Sequence, residues 1–336
     1  MDSSNRIVEK VQQEVRAHLA AHQREPSGVE VEAVVGLLLL REPGVAVQTQ
    51  PVSPDSTTER NDVDWYFINL GEQQNFAIRT AGMEDKASAC EIGRTSNRTV
   101  LEPNRSWSDR QWGVCAFDDV IEFCGPACAA YQQIFTPPLL QYVTDKSPEV
   151  RQAAAYGCGV LGQFGGEHFA VTCAQIIPLL VQVISDPKSR DPENVNPTEN
   201  AIAAVSKILK YNSSAIQNVD EIINVWFSWL PVTEDADEAP HIYGYMCDLI
   251  QANHPIILGN NNSNLPRIVS IIAQAFVTKV VAPLKDVGTR MLGIVKQVEA
   301  NPEVFQACAS ILTPEQQYAL QDAYRELAAG AVPATA

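Results

Sequence analysis

Apolar residues recur at helical spacing through the C-terminal two-thirds of the chain, and no segment after Trp107 alternates apolar and polar residues as a half-buried strand would. This pattern predicts an all-α region from Trp107 onward. The predicted helices span residues 108–124, 127–144, 147–164, 168–186, 196–211, 219–230, 235–253, 264–280, 283–299, 302–311 and 313–328.

Three of these helices begin at a polar residue followed by proline. The signals are Ser147-Pro148-Glu149, Asn196-Pro197-Thr198-Glu199 and Thr313-Pro314-Glu315. Proline is favoured at the first helical position because its missing N–H has no intrahelical acceptor there, and a preceding Ser, Thr or Asn can cap the helix. These segments therefore predict helix starts.

The segment Phe135–Gly165 has the form of one helical repeat: an apolar helix, a tight turn and a second helix rich in Ala and Gly. Pro137 and Pro178 are 41 residues apart, and each stands eight residues before an aspartate, Asp145 and Asp186. A period of ~40–47 residues is typical of HEAT repeats. Because one helical pair cannot bury its own apolar face, the spacing predicts an α–α superhelix, or solenoid, of stacked HEAT pairs.

Asp145 and Arg151 are predicted to form an inter-repeat ladder. Asp145 caps the turn of the repeat, and Arg151 lies in the first turns of the second helix. Charge-assisted hydrogen bonds from such a pair can link successive repeats. The next repeat lacks the pair, has a longer loop and carries Asn200 early in its second helix. This loop is either a functional insertion or simple drift in loop length.

The chain divides by pattern into three regions. Residues 1–60 form an atypical N-terminal segment, partly disordered, whose residues 42–60 read as a Pro/Ser/Thr-rich linker. Residues 61–106 hold a remnant of a middle repeat followed by an irregular linker. Residues 107–330 form the C-terminal HEAT repeats.

Charge, cysteine content and the absence of known motifs limit the classes of function that the sequence supports. A net charge of -16 argues against direct binding of nucleic acid and favours basic partners. The eight cysteines are scattered and read as buried, reduced thiols. The N-terminus lacks the apolar core of a signal peptide, and the run Val34–Leu40 is too short to span a bilayer, so no membrane insertion is expected. No motif for a cofactor, a metal or catalysis is found, so the chain is not expected to be an enzyme.

Asp118, Asp119 and Glu122 lie at i, i+1 and i+4 of one predicted helix. Three interpretations remain open: a solvated helix face, an acidic patch for a basic partner, or a metal or acid–base site. Trp226 and Trp229 form an apolar stripe, for which core packing is favoured over an exposed aromatic groove.

A further set of carboxylates lies near the starts of second helices, which in stacks of this type line the concave wall. Either they bind a basic partner or they complement the helix dipole. These candidates are Glu149, Glu199, Asp237 and Glu238.

Six stretches within residues 107–327 match one known family: DRQWGVCAFDDVIE (109–122), LLQYVTDKSPEVRQAAAYGCGVLGQFGG (139–166), ENVNPTENAIAAVSKILK (193–210), WFSWLP (226–231), YMCDLIQANHPIILGNNNSNLPRI (245–268) and LTPEQQYALQ (312–321). They resemble the C-terminal HEAT repeats of the karyopherin beta-3 (importin 5) branch of the importin-beta superfamily. A block from the middle of the same family is similar to residues 64–91, so the resemblance covers about three quarters of the chain.

The resemblance implies a nuclear transport receptor of the cytoplasm and nucleus that binds basic cargo, such as nuclear localisation signals and ribosomal-type proteins. It also implies contact with nucleoporins and regulation by Ran-GTP. The N-terminal repeats that bind Ran in the family have no counterpart in residues 1–60, and only about fifteen residues join the two matching blocks. A truncated member is therefore expected. The alternative is a HEAT-repeat scaffold, or a form that sequesters cargo without transporting it.

Overall fold

A computed structural model describes residues 65–69, 75–79 and 101–330. The predictions made for residues 1–60, and for most of 61–106, lie outside these ranges. The chain divides into two compact units, residues 1–135 and 136–336, and each is described by itself.

The first unit contains a β-hairpin and a long helix. Strands β1 (Trp65–Asn69) and β2 (Asn75–Arg79) pair antiparallel, with Trp65 opposite Arg79. Aromatic and β-branched residues fill β1, and such residues favour strands. This hairpin was not predicted from the sequence.

Helix α1 (Trp107–Cys124) begins at Ser106, whose Oγ accepts a hydrogen bond from the backbone N–H of Asp109 at 3.1 Å. A 3₁₀ segment follows at Gly125–Tyr131, and α2 (Gln132–Tyr142) begins in this unit and continues into the next. The rings of Phe117 and Phe135 lie 6.4 Å apart.

The second unit is helical throughout its described residues, as predicted. Two short 3₁₀ turns, Glu167–Phe169 and Asn260–Asn262, also occur. The remaining helices are α3 (Pro148–Phe164), α4 (Ala170–Ile184), α5 (Val195–Tyr211), α6 (Val219–Ser228), α7 (Ala239–Gln251), α8 (Pro255–Leu258), α9 (Leu265–Val277), α10 (Asp286–Glu299), α11 (Pro302–Ala309) and α12 (Pro314–Gly330).

Two of the three predicted helix starts are confirmed. Helix α3 has Ser147 as its N-cap and Pro148 in its first turn. At the start of α12, Thr313 Oγ1 accepts from the N–H of Gln316 while Gln316 Oε1 accepts from the N–H of Thr313, which is a capping box. The third prediction is wrong in position, because α5 begins two residues before Pro197, at Val195.

The second helices of successive pairs form a row. Helix α5 contacts α3 before it and α7 after it, and α7 in turn contacts α10. Two glycines allow the close approach of α3 and α5: a Cβ on Gly162 would lie 2.6 Å from Ile208 Cγ1, and one on Gly159 would lie 3.1 Å from the Cα of Ala204. Each pair thus buries its apolar face against the next pair, as the repeat spacing predicts.

The core of this unit includes the aromatic stripe singled out in the sequence. Trp226 is fully buried, and its Nε1–H donates to Ser206 Oγ at 2.8 Å. Its ring meets that of Tyr245 edge to face at 5.2 Å between centroids. The prediction of core packing is confirmed for Trp226, while Trp229 is half-buried. The indole N–H has a partner, as a buried tryptophan requires.

Candidate protein-binding surface

Arg151 links two successive helical pairs, but through a different contact from the one predicted. Its guanidinium donates to the backbone carbonyls of Asp145 at 2.7 Å and Lys146 at 3.1 Å. It also donates to Oδ1 of Asn194, which precedes α5 in the next pair. The Asp145 carboxylate accepts the N–H of Ser147 at 2.8 Å and so holds the turn. The inter-repeat bond therefore joins Arg151 to Asn194.

An amide performs the same task in the following pair. Asn200 on α5 donates through Nδ2 to Asp235 Oδ2 at 2.6 Å. Asp235 Oδ1 accepts from the backbone N–H groups of Asp237 and Glu238, at 3.1 and 2.9 Å, just before α7. The inter-repeat ladder therefore continues with an Asn–Asp contact in place of the predicted Asp–Arg pair.

We expect Arg151→Ala to lower the free energy of unfolding by about 2 kcal/mol, because it removes charge-assisted hydrogen bonds across two pairs. A double-mutant cycle with Asn194→Ala, read by urea unfolding, should give a coupling energy of at least ~0.5 kcal/mol. Additive effects of the two changes would contradict the link. Arg325→Ala, at an exposed arginine of α12, is the matched control.

Glu199 was predicted as a candidate cargo ligand, and the structure corrects this. Its side chain is fully buried at the start of α5. Its two oxygens accept the backbone N–H groups of Thr233, Glu234 and Asp235 at 2.7, 3.0 and 2.8 Å. The Glu199 carboxylate therefore holds the loop before α7 in place through these hydrogen bonds, and its burial prevents contact with a partner.

Glu238 is corrected for a similar reason. It is buried at the N-cap of α7, and Lys207 Nζ lies 2.9 Å from its Oε1 and 2.8 Å from its Oε2. Lys207 is itself 3% exposed and lies over the ring of Tyr156, 5.0 Å from its centroid. Burial raises the pKa of Glu238, and the positive charge of Lys207 opposes that rise. This contact joins α3, α5 and the start of α7.

The three carboxylates of α1 have different environments. Asp118 is buried, whereas Asp119 and Glu122 are half-buried. Burial, and then the negative charge of Glu122, raise the pKa of Asp119 to about 7. A cation placed beside Asp119 would lower this pKa. The interpretation of all three as one solvated face is wrong for Asp118.

Glu149 and Asp237 are exposed. Both belong to the edge where the first helix of a pair turns into the second. A cleft of about 320 Å³ opens at the same edge, between the turn after α2 and the loop after α4. Asp145, Asp186 and Glu193 are its carboxylates, alongside the cations Lys146, Arg151 and Lys188.

One ion network was missed in the sequence. Asp248 on α7 lies 2.7 Å from Lys210 Nζ on α5 and 2.6 Å from Arg290 on α10. These partners are far apart in sequence and share no motif, so only the stacking of the helices brings them together. The two cations hold the pKa of Asp248 below its usual value.

The described residues give no sign of metal or disulfide chemistry. None of their His, Cys, Asp and Glu side chains form a group of three or more that could hold a metal ion. Every cysteine between residues 101 and 330 is a free thiol. Burial raises the pKa of Cys173 and Cys247 to about 12, so both stay protonated at neutral pH. These two thiols are therefore weak nucleophiles.

One described stretch, Glu167–Ile184, is long and apolar enough to cross a membrane by length and composition. Half of it is buried inside the structure. A core helix of a stacked repeat passes the same test, and α4 packs against α3 and α5.

Comparison with known families supports the repeat architecture. The model of the HEAT repeat matches residues 135–165, and that of the importin repeat matches residues 235–282. Importin subunit beta-3 of Saccharomyces cerevisiae is 30% identical over 262 residues, which is 72% of this chain and 24% of the relative. The probable importin-5 homolog of Dictyostelium discoideum is 26% identical over 175 residues, or 51% of this chain and 16% of the relative. The chain thus spans about a quarter or less of these relatives.

Solved structures show the same fold. A crystal structure of Kap121p bound to RanGTP superposes with a TM-score of 0.60 at 22% identity, over 73% of this chain and 22% of that one. Kap121p bound to the SUMO protease Ulp1p gives a TM-score of 0.60 at 23% identity, over 71% of this chain and 21% of that one. Two matching repeat models, the importin relatives and the stacked helical pairs agree with one another. Over 72% of its length the chain is similar to an importin-beta protein, and it contains a HEAT repeat and an importin repeat.

Proposed function

We propose that this chain binds basic protein cargo for nuclear import and moves between cytoplasm and nucleus. The observation that carries the proposal is the set of carboxylates left exposed where successive helical pairs turn. In the second unit these are Glu149 and Asp237. Asp186 and Glu193, which lie between them in the sequence, are also exposed and line the cleft of about 320 Å³. Lys- and Arg-rich segments are the partners that such carboxylates attract.

The half-buried acids of α1 are the corresponding candidates in the first unit. Asp119 has a pKa of about 7, so it is partly protonated at neutral pH. A bound Lys or Arg side chain would lower that pKa and make the carboxylate fully charged. Glu122, whose charge raises the pKa of Asp119, would share the same cation.

The proposed partners follow from the family. Solved Kap121p structures are bound to RanGTP, to Pho4p and to Ulp1p. For this chain we propose basic segments of the nuclear localisation or ribosomal type as cargo, Ran-GTP as the regulator and nucleoporins as transient contacts. Direct nucleic-acid binding is not part of the proposal, because the net charge is -16.

The test is the affinity of the full chain for a labelled Lys/Arg-rich peptide, measured by fluorescence anisotropy at low and high salt. We expect Glu149→Gln with Asp237→Asn to weaken binding about fivefold, since each exposed ion pair contributes up to ~1 kcal/mol. High salt should weaken binding to the wild-type chain and reduce the difference from the variant.

The matched control is Glu303→Gln with Glu315→Gln, two exposed acids at the starts of α11 and α12. It carries the same loss of charge and should bind the peptide as the wild type does. Equal losses in both double variants would show that only net charge matters and would contradict the assigned edge. Adding Ran-GTP separates transport from scaffolding: displacement of the peptide supports a transport receptor, whereas retention favours the scaffold or sequestering form.

A further inference from the structure

A small polar cleft of about 120 Å³ lies between the second helices α5, α7 and α10. Three cations line it, one buried and two partly exposed: Lys207, Lys210 and Arg290. His241 at the start of α7 and Asp286 at the start of α10 complete its charged and titratable lining. The acids near the starts of second helices were candidates for binding basic partners, whereas the charged side chains that line this cleft are mainly cations.

The carboxylates near the cleft do not use all of its donors. Lys207 is paired with Glu238, whereas Lys210 and Arg290 share the single carboxylate of Asp248. Arg290 also donates to Oε1 of Gln251 at 2.7 Å. An ammonium carries three N–H donors and a guanidinium carries five. Asp286 is exposed at the first residue of α10, where it can turn toward solvent. Two helix N-termini also border the cleft, and their backbone N–H groups favour negative charge.

The pKa of His241 reflects its burial and the positive charges beside it. Burial, and then the positive charges of Lys207 and Lys210, lower its pKa to about 4. The imidazole is therefore neutral at pH 7 and can donate a hydrogen bond without adding charge. The charged groups around it are the three cations of the cleft, together with Glu238, Asp248 and Asp286.

Tyr211 adds an apolar surface at the mouth of the cleft. Its side chain is 48% exposed, and Lys210 Nζ lies 5.2 Å from the centre of its ring. A cleft of this volume accommodates one small terminal group. The exposed ring can pack against the chain that carries that group. An exposed apolar ring beside the cations favours a carboxylate carried on a peptide over a free ion.

We propose that this cleft binds a carboxylate side chain from an acidic segment of a partner protein. Lys210 and Arg290 supply the charge-assisted donors, His241 supplies a neutral donor, and Tyr211 packs against the segment. This partner class is opposite in charge to the basic cargo proposed above, and the inference stands independently of it. One stretch of helices would then recognise acidic chains in the cleft, while the edge carrying Glu149 and Asp237 recognises basic ones.

The experiment measures binding of a fluorescein-labelled hexaglutamate peptide to the full chain by anisotropy. We expect Lys210→Gln to weaken binding about tenfold, and Arg290→Gln likewise, because each removes a charge-assisted hydrogen bond. Lys296→Gln is the matched control, since Lys296 is exposed on α10 and does not line the cleft. It should bind as the wild type does.

Asp248→Asn distinguishes a ligand site from a purely structural ion network. It frees both cations from their shared carboxylate, so the proposal expects tighter peptide binding. A structural role alone would produce no gain. Circular dichroism would confirm that the variant is folded. If it is not, Asp286→Asn removes a negative charge from the lining of the cleft without breaking the network, and it should also tighten peptide binding. Absence of peptide binding, or no loss in Lys210→Gln, would overturn the proposal.

Two further readouts identify the ligand. Imidazole NMR should show the pKa of His241 rising when the peptide binds, because a nearby carboxylate stabilises the charged ring. Hexalysine should leave that pKa unchanged. A phosphoserine peptide and inorganic phosphate form the other arms. Binding of inorganic phosphate without hexaglutamate would overturn the assignment to an acidic peptide.

Discussion

Replacing Lys207 by Met should lower the free energy of unfolding by about 3 kcal/mol, because it breaks the buried ion pair with Glu238. The variant keeps most of the side-chain volume but leaves Glu238 buried without its positive partner. It also removes the cation that lies over the ring of Tyr156. Urea unfolding followed by circular dichroism measures the effect.

The pH dependence of this loss has a definite sign. Burial already raises the pKa of Glu238 in the wild type, and Lys207 opposes that rise. Without Lys207 the folded-state pKa rises further above the unfolded one, so folding is penalised only where the carboxyl must be charged. The loss should therefore be large at pH values above the folded-state pKa and shrink as the pH falls below it.

Two control variants separate the charge from the packing. Lys207→Met combined with Glu238→Leu removes both charges and should recover part of the lost stability, since a buried apolar pair can replace a buried ion pair. Lys296→Met changes an exposed lysine and should have little effect. A loss below about 1 kcal/mol in the single variant would contradict the assigned role of Lys207.

The helical repeat was predictable because its signals are local. Pro137 and Pro178 lie inside α2 and α4 as their spacing indicated, and Ser147 begins α3. Apolar periodicity, proline position and capping residues each act within a few neighbouring positions. The β1–β2 hairpin was missed, although the aromatic run at Trp65–Phe67 followed by Ile68 favours a strand.

Whether a given carboxylate is exposed or buried was not predictable from the sequence, because it depends on contacts between repeats. Glu149 and Glu199 both follow a proline near the start of a second helix, and sequence alone treats them alike. Glu149 is exposed, whereas Glu199 is enclosed by the loop of the next pair. The partner N–H groups lie more than thirty residues away. Only the stacking of pairs decides which acid faces solvent.

Glu199→Ala should lower the free energy of unfolding by about 3 kcal/mol, because three backbone N–H groups lose their acceptor at once. Those groups belong to Thr233, Glu234 and Asp235, in the loop between α6 and α7. Arg190, 3.7 Å from the same carboxylate, would lose its counter-charge. Urea unfolding gives the global loss, and hydrogen exchange of the three amides gives the local one.

The exchange rates of these amides distinguish local release of the loop from a general loss of stability. If Glu199 holds the loop, the three amides exchange much faster in Glu199→Ala even where amides inside α5 keep their protection. Glu199→Gln retains one carbonyl oxygen as an acceptor and should lose about half as much stability. Glu234→Ala, at an exposed residue of the same loop, should leave exchange of the Thr233 and Asp235 amides unchanged. Uniform acceleration across α5 and α7 in Glu199→Ala would instead indicate that the carboxylate supports the whole stack, and the local role assigned to it would be wrong.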